Sequence, residues 1–357
     1  MAGTSLDGVD AVLTDWSCSD QPEVVRAWTT AYPSALVQAI RGAGPETPLR
    51  SISELDVQLG EAFANAAIEV LEGSGIERDR VAVIGSHGQT VWHNPNGQYA
   101  TSIQLADPNR IAERTGLDVV ADFRRRDIAA HGQGAPLAPL FHAALFRSNE
   151  ARAVLNLGGI ANITLLAPDK LVTGFDTGPA NTLMDAWHRR HRGGDFDVNG
   201  AWAANGSVDA SLLAALLDDP FFRQRPPRST GPEHFNLAWL EPALRGRAIA
   251  AVDVQATLAE LTARSAADAI IDCLPGVERV LVCGGGCHNR YLRQRIDANL
   301  PNAVVTSTAD YGIAPDWVEA TGFAWLAREW LAGRPGNAES VTGAHHPAIL
   351  GGLYRGA

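Results

Sequence analysis

Six short glycine-centred phrases restrict this chain more than any bulk property. They span residues 3–10, 85–90, 156–162, 176–181, 283–289 and 314–322. Most stand where a β-type run ends: Val81-Ala82-Val83-Ile84 runs into Gly85, Ala153 to Leu157 into Gly158-Gly159, and Arg279 to Cys283 into Gly284. A glycine at such a place lets backbone N–H groups turn toward a ligand with no Cβ in the way, as a phosphate requires. The pattern reads as an α/β enzyme that handles a nucleotide.

Strand and helix patterns alternate around these phrases. Ala11–Thr14, Val81–Gly85, Val119–Asp122, Ala153–Leu157, Ile163–Leu166 and Arg279–Cys283 read as strands, the run at 81–85 as a buried one that ends in a glycine turn. Leu55 to Leu71 repeats apolar residues at helical spacing, a second helix starts near Pro179, and a third runs from about Val254 to Cys273. Residues 224–232, Gln-Arg-Pro-Pro-Arg-Ser-Thr-Gly-Pro, are an irregular loop. A length of 357 residues exceeds what one core usually serves. The order of elements predicts two α/β units with the boundary near residues 122–136, taken as domains 1–125 and 126–357.

Charge narrows the partners. The net charge of −11 disfavours nucleic acid and anionic membrane, since no basic surplus exists to release counterions. Lys170 is the only lysine and lies in Ala-Pro-Asp-Lys, which excludes both the Gly-Lys-Ser/Thr step of a P-loop kinase and the strand lysine of a protein kinase. Phosphate must then be met by backbone amides, hydroxyls and a carboxylate-held Mg²⁺. No signal peptide opens the chain and no apolar run nears the ~20 residues of a membrane span. A cytoplasmic location is expected, with Cys18, Cys273, Cys283 and Cys287 reduced. Cys283-x3-Cys287-His288 lacks the second Cys or His pair that a structural zinc site needs.

Individual residues have competing readings. Gly3, Thr4 and Ser5 offer amides and hydroxyls to a phosphate and Asp7 can hold Mg²⁺ through water, but Asp7-Gly8 is equally a hairpin turn. Asn156 to Asn162 is either a hairpin tip at Gly158-Gly159 that approaches a phosphate or a purely structural hairpin. Gly178 and Pro179 suit the cap and first turn of a helix whose free N–H groups would face an anion. Asn181 and Asp185, four apart, share a face of that helix, so Asp185 is a candidate general base one turn deeper. The alternative is an exposed helix aspartate, against which stand the neighbours Leu183, Met184 and Trp187. Asp316-x-x-Glu319 after Pro315 has the spacing of a capping box, which explains Glu319 without catalysis. Ser86 and His87 are neighbours on an extended segment and point to opposite faces, so they form no dyad. His87, His93 and His131 read as cleft polar groups or turn residues, and Arg124-Arg125-Arg126 as a solvated charge run or a grip on an acidic substrate.

Together with residues 102–110, 121–129, 132–137 and 253–258, these phrases make the whole chain resemble the anhydro-N-acetylmuramic acid kinase family of the actin/Hsp70/sugar-kinase superfamily. The resemblance implies two actin-like, ribonuclease H-like domains flanking an ATP and sugar cleft. It implies ATP and Mg²⁺ as cofactors, a small-molecule sugar as partner, and a homodimer. It also implies that the 1,6-anhydro ring of the sugar is hydrolysed and O6 phosphorylated, giving N-acetylmuramic acid 6-phosphate and ADP in peptidoglycan recycling. Asp185 would activate water and Glu319 would lie near the sugar. Gly3, Thr4, Ser5, Asp7, Gly8 and Asp10 would form the ATP-phosphate loop, with Asp7 toward Mg²⁺. Asn156, Gly158, Gly159, Asn162, Asp176, Gly178, Asn181, Gly284 and Gly285 would complete the nucleotide site. His87, Gln104 and Arg126 would reach the sugar. The chain departs from the family at Ala106, Ala180, His131 and Pro232, and the family's first strand is missing ahead of Met1-Ala2. The alternatives are a kinase of the same fold for another hexose or amino sugar, and a non-enzymatic ATP-dependent clamp.

Overall fold

The computed structural model describes residues 1–3, 6–18 and 21–357. Thr4 and Ser5, two of the expected phosphate ligands, lie outside the described residues. The chain forms two compact units, one of Met1–Leu145 with Trp317–Ala357 and the other of Phe146–Asp316.

The first unit opens with β1 (Gly8–Asp15) antiparallel to β2 (Glu23–Ala31). After β3 (Ile84–Ser86) comes the hairpin of β4 (Gln89–Asn94) and β5 (Thr101–Leu105), then β6 (Val119–Ala121), which runs parallel to β3. The apolar face of the helix Leu49–Glu72 buries Leu55, Leu59 and Phe63 in this unit's core, beside Ile111 and Val119.

The second unit is built on one five-stranded sheet of β7 (Arg152–Leu157), β8 (Ile160–Leu166), β9 (Thr173–Pro179), β10 (Arg279–Cys283) and β11 (Val304–Ser307). Its order is β11-β10-β7-β8-β9, with β8 antiparallel to both neighbours and β10 parallel to β7 and β11. Read from β9, that order is third-second-first-fourth-fifth with the second strand reversed, the ribonuclease H-like arrangement. The helix Ala251–Cys273 is buried continuously from Val254 to Ala263, because its alanines and threonines let it lie close within the core.

The chain then returns to the first unit, where β12 (Gly352–Tyr354) pairs antiparallel with β6. This return differs from the sequence division into 1–125 and 126–357: residues 126–145 and 317–357 belong to the first unit. The helix Val318–Leu331 packs on β1, β3 and β6, and Arg355 and the Gly356 N–H both bond the Asp118 carboxylate. Those contacts tie the chain's far end to strands made near its beginning.

β1 pairs with β2 alone and β3 with β6, so among the described residues no strand lies between β1 and β3. A cavity of about 450 Å³ occupies that place, lined by Val9–Ser17, residues 81–86 and side chains of the helices 49–72 and 318–331. The run 81–84, expected to be a strand, becomes one only from Ile84, where β6 supplies a partner. At its rim Met1 exchanges both backbone hydrogen bonds with Asp10, each 2.8 Å.

Candidate functional site

In the second unit, the glycine phrases meet at one end of the sheet. The β7–β8 turn at Gly158-Gly159, the end of β9 and the turn after β10 come together. Gly284 has φ of +77°, and a Cβ there would stand 2.3 Å from Asn156 Oδ1. One on Gly286 would meet Leu157 Cβ at 2.7 Å and Asn181 Oδ1 at 3.0 Å. Asn181 Nδ2 donates to the Leu157 carbonyl at 2.9 Å. Asn156 and Asn162 face each other across the β7–β8 ladder. Nothing stands within 4 Å of where a Gly285 Cβ would be, so this glycine borders open space.

Two expectations change here. Pro179 ends β9, and the helix starts at Asn181 with Ala180 as its cap. Its first amides are not free: Ala180 N–H and Thr182 N–H donate to the Gly159 carbonyl and Asn181 N–H to that of Gly158. The hairpin tip therefore caps the helix, and an anion would have to be met by other amides of these loops. Asp176 is likewise engaged. Its Oδ2 accepts from Ser229 Oγ at 3.0 Å and Thr230 N–H at 2.9 Å, while Arg228 Nε donates to its carbonyl. Burial raises the Asp176 pKa despite those two bonds. Gly178, at φ +141°, is held against Phe222, whose Cε1 would lie 2.7 Å from an added Cβ.

Asp185 lies on the helix Asn181–Arg192, one turn beyond Asn181, with Leu183, Met184 and Trp187 buried around it. It is half-buried, and among the described residues none hydrogen-bonds its carboxylate. Desolvation first, then the like charges of Asp195 and Asp197, push its pKa up to about 7 against the pull of Arg189. A carboxyl that titrates near neutrality suits proton transfer to and from water.

The first unit holds a different group. Arg124, on the short helix Phe123–Ala129, donates from Nε to His87 Nε2 at 3.0 Å and from Nη1 to the Gly134 carbonyl at 2.8 Å. His87 is buried against the Phe323 ring at 4.5 Å, and its Nδ1 has no hydrogen-bond partner among the described residues. Burial, then the Arg124 charge, hold His87 neutral, with a pKa well below the usual imidazole range. Desolvation lowers Arg124 to about 10, while Glu319 and Asp127 favour its charge. Glu319 is surrounded by protein mass, which raises its pKa; Arg124 and the Met1 amine draw it down and Asp10 pushes it up. Its side chain keeps a water-accessible surface all the same, and that screening limits the shift.

The capping-box reading of Glu319 is overturned. The helix Val318–Leu331 has Trp317 at its cap with no side-chain hydrogen bond, and Asp316 instead pairs with His288 Nε2 at 2.8 Å. Arg126 is exposed, with no ion pair among the described residues, and Arg125 pairs with Asp122. Arg124 is the arginine of the run that meets His87, a distinction the run of three like residues concealed. Gln104 sits on β5 and donates to Thr90 Oγ1 and Ser102 Oγ. Asp7 is exposed, and Asp10 on β1 accepts from Thr29 Oγ1 at 2.7 Å. Gly8 begins β1 and does not form a hairpin turn; the Thr30 carbonyl, 2.3 Å from its would-be Cβ, requires the glycine. The Gly3 carbonyl accepts from Gln89 Nε2 at 3.3 Å. Cys287, His288 and Asp316 bring potential ligand atoms within 4.8 Å of one another, whereas Cys283 adjoins Asn156.

No helix among the described residues is long and apolar enough to cross a membrane. The sequence profile described as anhydro-N-acetylmuramic acid kinase matches residues 1–356. A relative of that name from Xanthomonas axonopodis pv. citri (strain 306) is 52% identical over 360 residues, covering 99% of this chain and 96% of its own. Another, from Pasteurella multocida (strain Pm70), is 48% identical over 359 residues, covering 99% and 95%. A third, from Chromohalobacter salexigens, is 49% identical over 367 residues, covering 100% and 98%. With the profile spanning nearly every residue and half the positions shared with such relatives, this chain belongs to the anhydro-N-acetylmuramic acid kinase family.

Proposed function

We propose that this protein is an ATP-dependent kinase that opens 1,6-anhydro-N-acetylmuramic acid with water and phosphorylates it, yielding N-acetylmuramic acid 6-phosphate and ADP. The observation that carries the chemistry is Asp185, a half-buried carboxyl titrating near neutrality one turn along the helix that follows the glycine turns. Asp185 takes a proton from water as the water oxygen bonds to C1 of the sugar. The C1–O6 bond breaks, and O6 bonds to the γ-phosphorus as the bond to ADP breaks. The proton leaves Asp185 to solvent. Glu319 and Arg124 act on the sugar side, with neutral His87 accepting the Arg124 N–H and so fixing the guanidinium. Arg126, exposed and without an ion pair among the described residues, remains a candidate for the substrate carboxylate, and Gln104 for a sugar hydroxyl.

The loops of Asn156, Gly158, Gly159, Asn162, Gly178, Asn181, Gly284 and Gly285 fit a nucleotide, because Gly285 borders open space while Gly284 and Gly286 let this turn pack closely on Asn156, Leu157 and Asn181. The exposed carboxylate of Asp7, with Asp10 near it in sequence, offers the hard oxygen donors that Mg²⁺ prefers; once bound, the ion would neutralise phosphate charge. Action in the cytoplasm, within peptidoglycan recycling and as a homodimer, belongs to the same proposal.

The test is ADP release with the anhydro sugar, ATP and Mg²⁺, comparing this chain with Asp185→Asn and with simple hexoses as substrates. Turnover selective for the anhydro sugar and lowered by several orders of magnitude in Asp185→Asn supports the reading. Equal turnover of simple hexoses, or ATP hydrolysis indifferent to sugar, overturns it.

A further inference from the structure

The first unit contains a fully buried carboxylate, Asp127, for which the reaction as derived has no use. Its Oδ1 accepts from Asn337 Nδ2 at 2.7 Å and Thr342 Oγ1 at 2.8 Å, and its Oδ2 from the Gly134 N–H at 2.7 Å. The turn it holds is closed by further bonds, Gly132 N–H to the Asp127 carbonyl and Gln133 N–H to that of Thr342, both 2.9 Å. Gly132 has to be glycine, since an added Cβ would stand 2.2 Å from Asp127 Oδ2. The carbonyl of Gly134 then receives Arg124 Nη1 at 2.8 Å. One peptide residue, gripped by Asp127 through its N–H, thus grips Arg124 through its C=O.

We propose that Asp127 is a positioning residue for the sugar-side group: it fixes the 132–134 turn, and through the Gly134 carbonyl it sets the Arg124 guanidinium against His87. The inference rests on the reading of Arg124 and Glu319 as sugar-side groups. Three donors converge on the carboxylate, and an asparagine would present an NH₂ to at least one of them. In Asp127→Asn the Gly134 N–H loses its acceptor or an Oδ1 partner is repelled, the turn loosens, and Arg124 keeps only His87.

The experiment compares the full chain, Asp127→Asn and Leu59→Ala, the last a control that destabilises the same unit from its buried helix. The KM for the anhydro sugar should rise about tenfold or more in Asp127→Asn while the KM for ATP stays within about twofold, because only the sugar-side group is displaced. The imidazole ¹⁵N signals of His87 should shift as its bond from Arg124 weakens. Leu59→Ala should lower the unfolding midpoint and leave both readouts at wild-type values. Unchanged sugar KM and His87 signals in Asp127→Asn, or the same changes in Leu59→Ala, overturn the proposal. Should the unmutated chain turn over no anhydro sugar, the substrate reading fails, and the His87 signals alone decide the role of Asp127.

Discussion

Asp185, proposed as the base, gives the most exposed prediction, because its raised pKa sets a pH at which activity should switch. An aspartate normally titrates near 3.8, whereas here desolvation chiefly, with Asp195 and Asp197, brings it to about 7. As a base it works only when ionised. With a pKa of about 7, roughly a tenth of the molecules are competent at pH 6 and about a hundredth at pH 5, so kcat/KM should climb about tenfold per pH unit and level off near pH 8. The same shift acts on stability. The folded state holds the proton at pH values where the unfolded chain has released it, so stability attributable to this group is present below about 4, falls as pH rises toward 7 and stays lost above. At about 1.4 kcal/mol per pKa unit the penalty is a few kcal/mol at most, reduced by the water that reaches a half-buried side chain. Asp185→Asn removes it. That variant should therefore be inactive yet more resistant to urea at pH 8, with the advantage shrinking toward pH 5. The assays are kcat/KM for the sugar from pH 5 to 9 and urea unfolding of both proteins at the two ends. A flat activity profile down to pH 5, or an Asp185→Asn advantage that grows as pH falls, would refute the argument.

Other sites yield sharper local outcomes. Gly178→Ala places a Cβ on Phe222 at a φ of +141° and should destabilise by about 1–3 kcal/mol, read by urea unfolding; a neutral result would mean that Phe222 rotates away without cost. Asp176→Ala strips Ser229 and the Thr230 N–H of their acceptor and should cost about 1–3 kcal/mol, with faster amide exchange confined to residues 228–230 at first. Asp316→Ala should leave thermal stability within about 0.5 kcal/mol, since it removes only an exposed pair with His288; a loss of about 1 kcal/mol or more would restore the helix-capping reading.

What could be read in the sequence was what depends on nearest neighbours. The runs at 153–157 and 279–283 became β7 and β10 almost residue for residue, because strands at the centre of a sheet are apolar on both faces. Half-burial of Asp185 followed from Leu183, Met184 and Trp187, which share its helix. What stayed hidden depends on partners far along the chain. The amides at the start of the 181–192 helix looked free because the carbonyls that take them belong to a hairpin more than a turn of chain away, at Gly158 and Gly159. Asp127 draws its partners from positions 210 and 215 residues later, a separation no local spacing encodes. Arg124 was hidden in the same way: it and Arg126 stand symmetrically about the face of Phe123 and Asp127, so only its distant partners, His87 and Gly134, single it out.

The second unit is an uninterrupted insertion, and that dictates an order of events during synthesis. Phe146–Asp316 emerges whole and can fold as soon as it clears the ribosome. The first unit has to wait: β6 lacks its outer partner, and β1 and β3 lack the helix that packs on them, until residues 318–354 arrive. At roughly 5–20 residues per second the interval is on the order of ten seconds or more. Throughout it the edge of β6 and the sides of β1 and β3 that the helix 318–331 covers stand incomplete, so the earliest-made part of the protein is the last to mature and the part that most needs shelter by a chaperone.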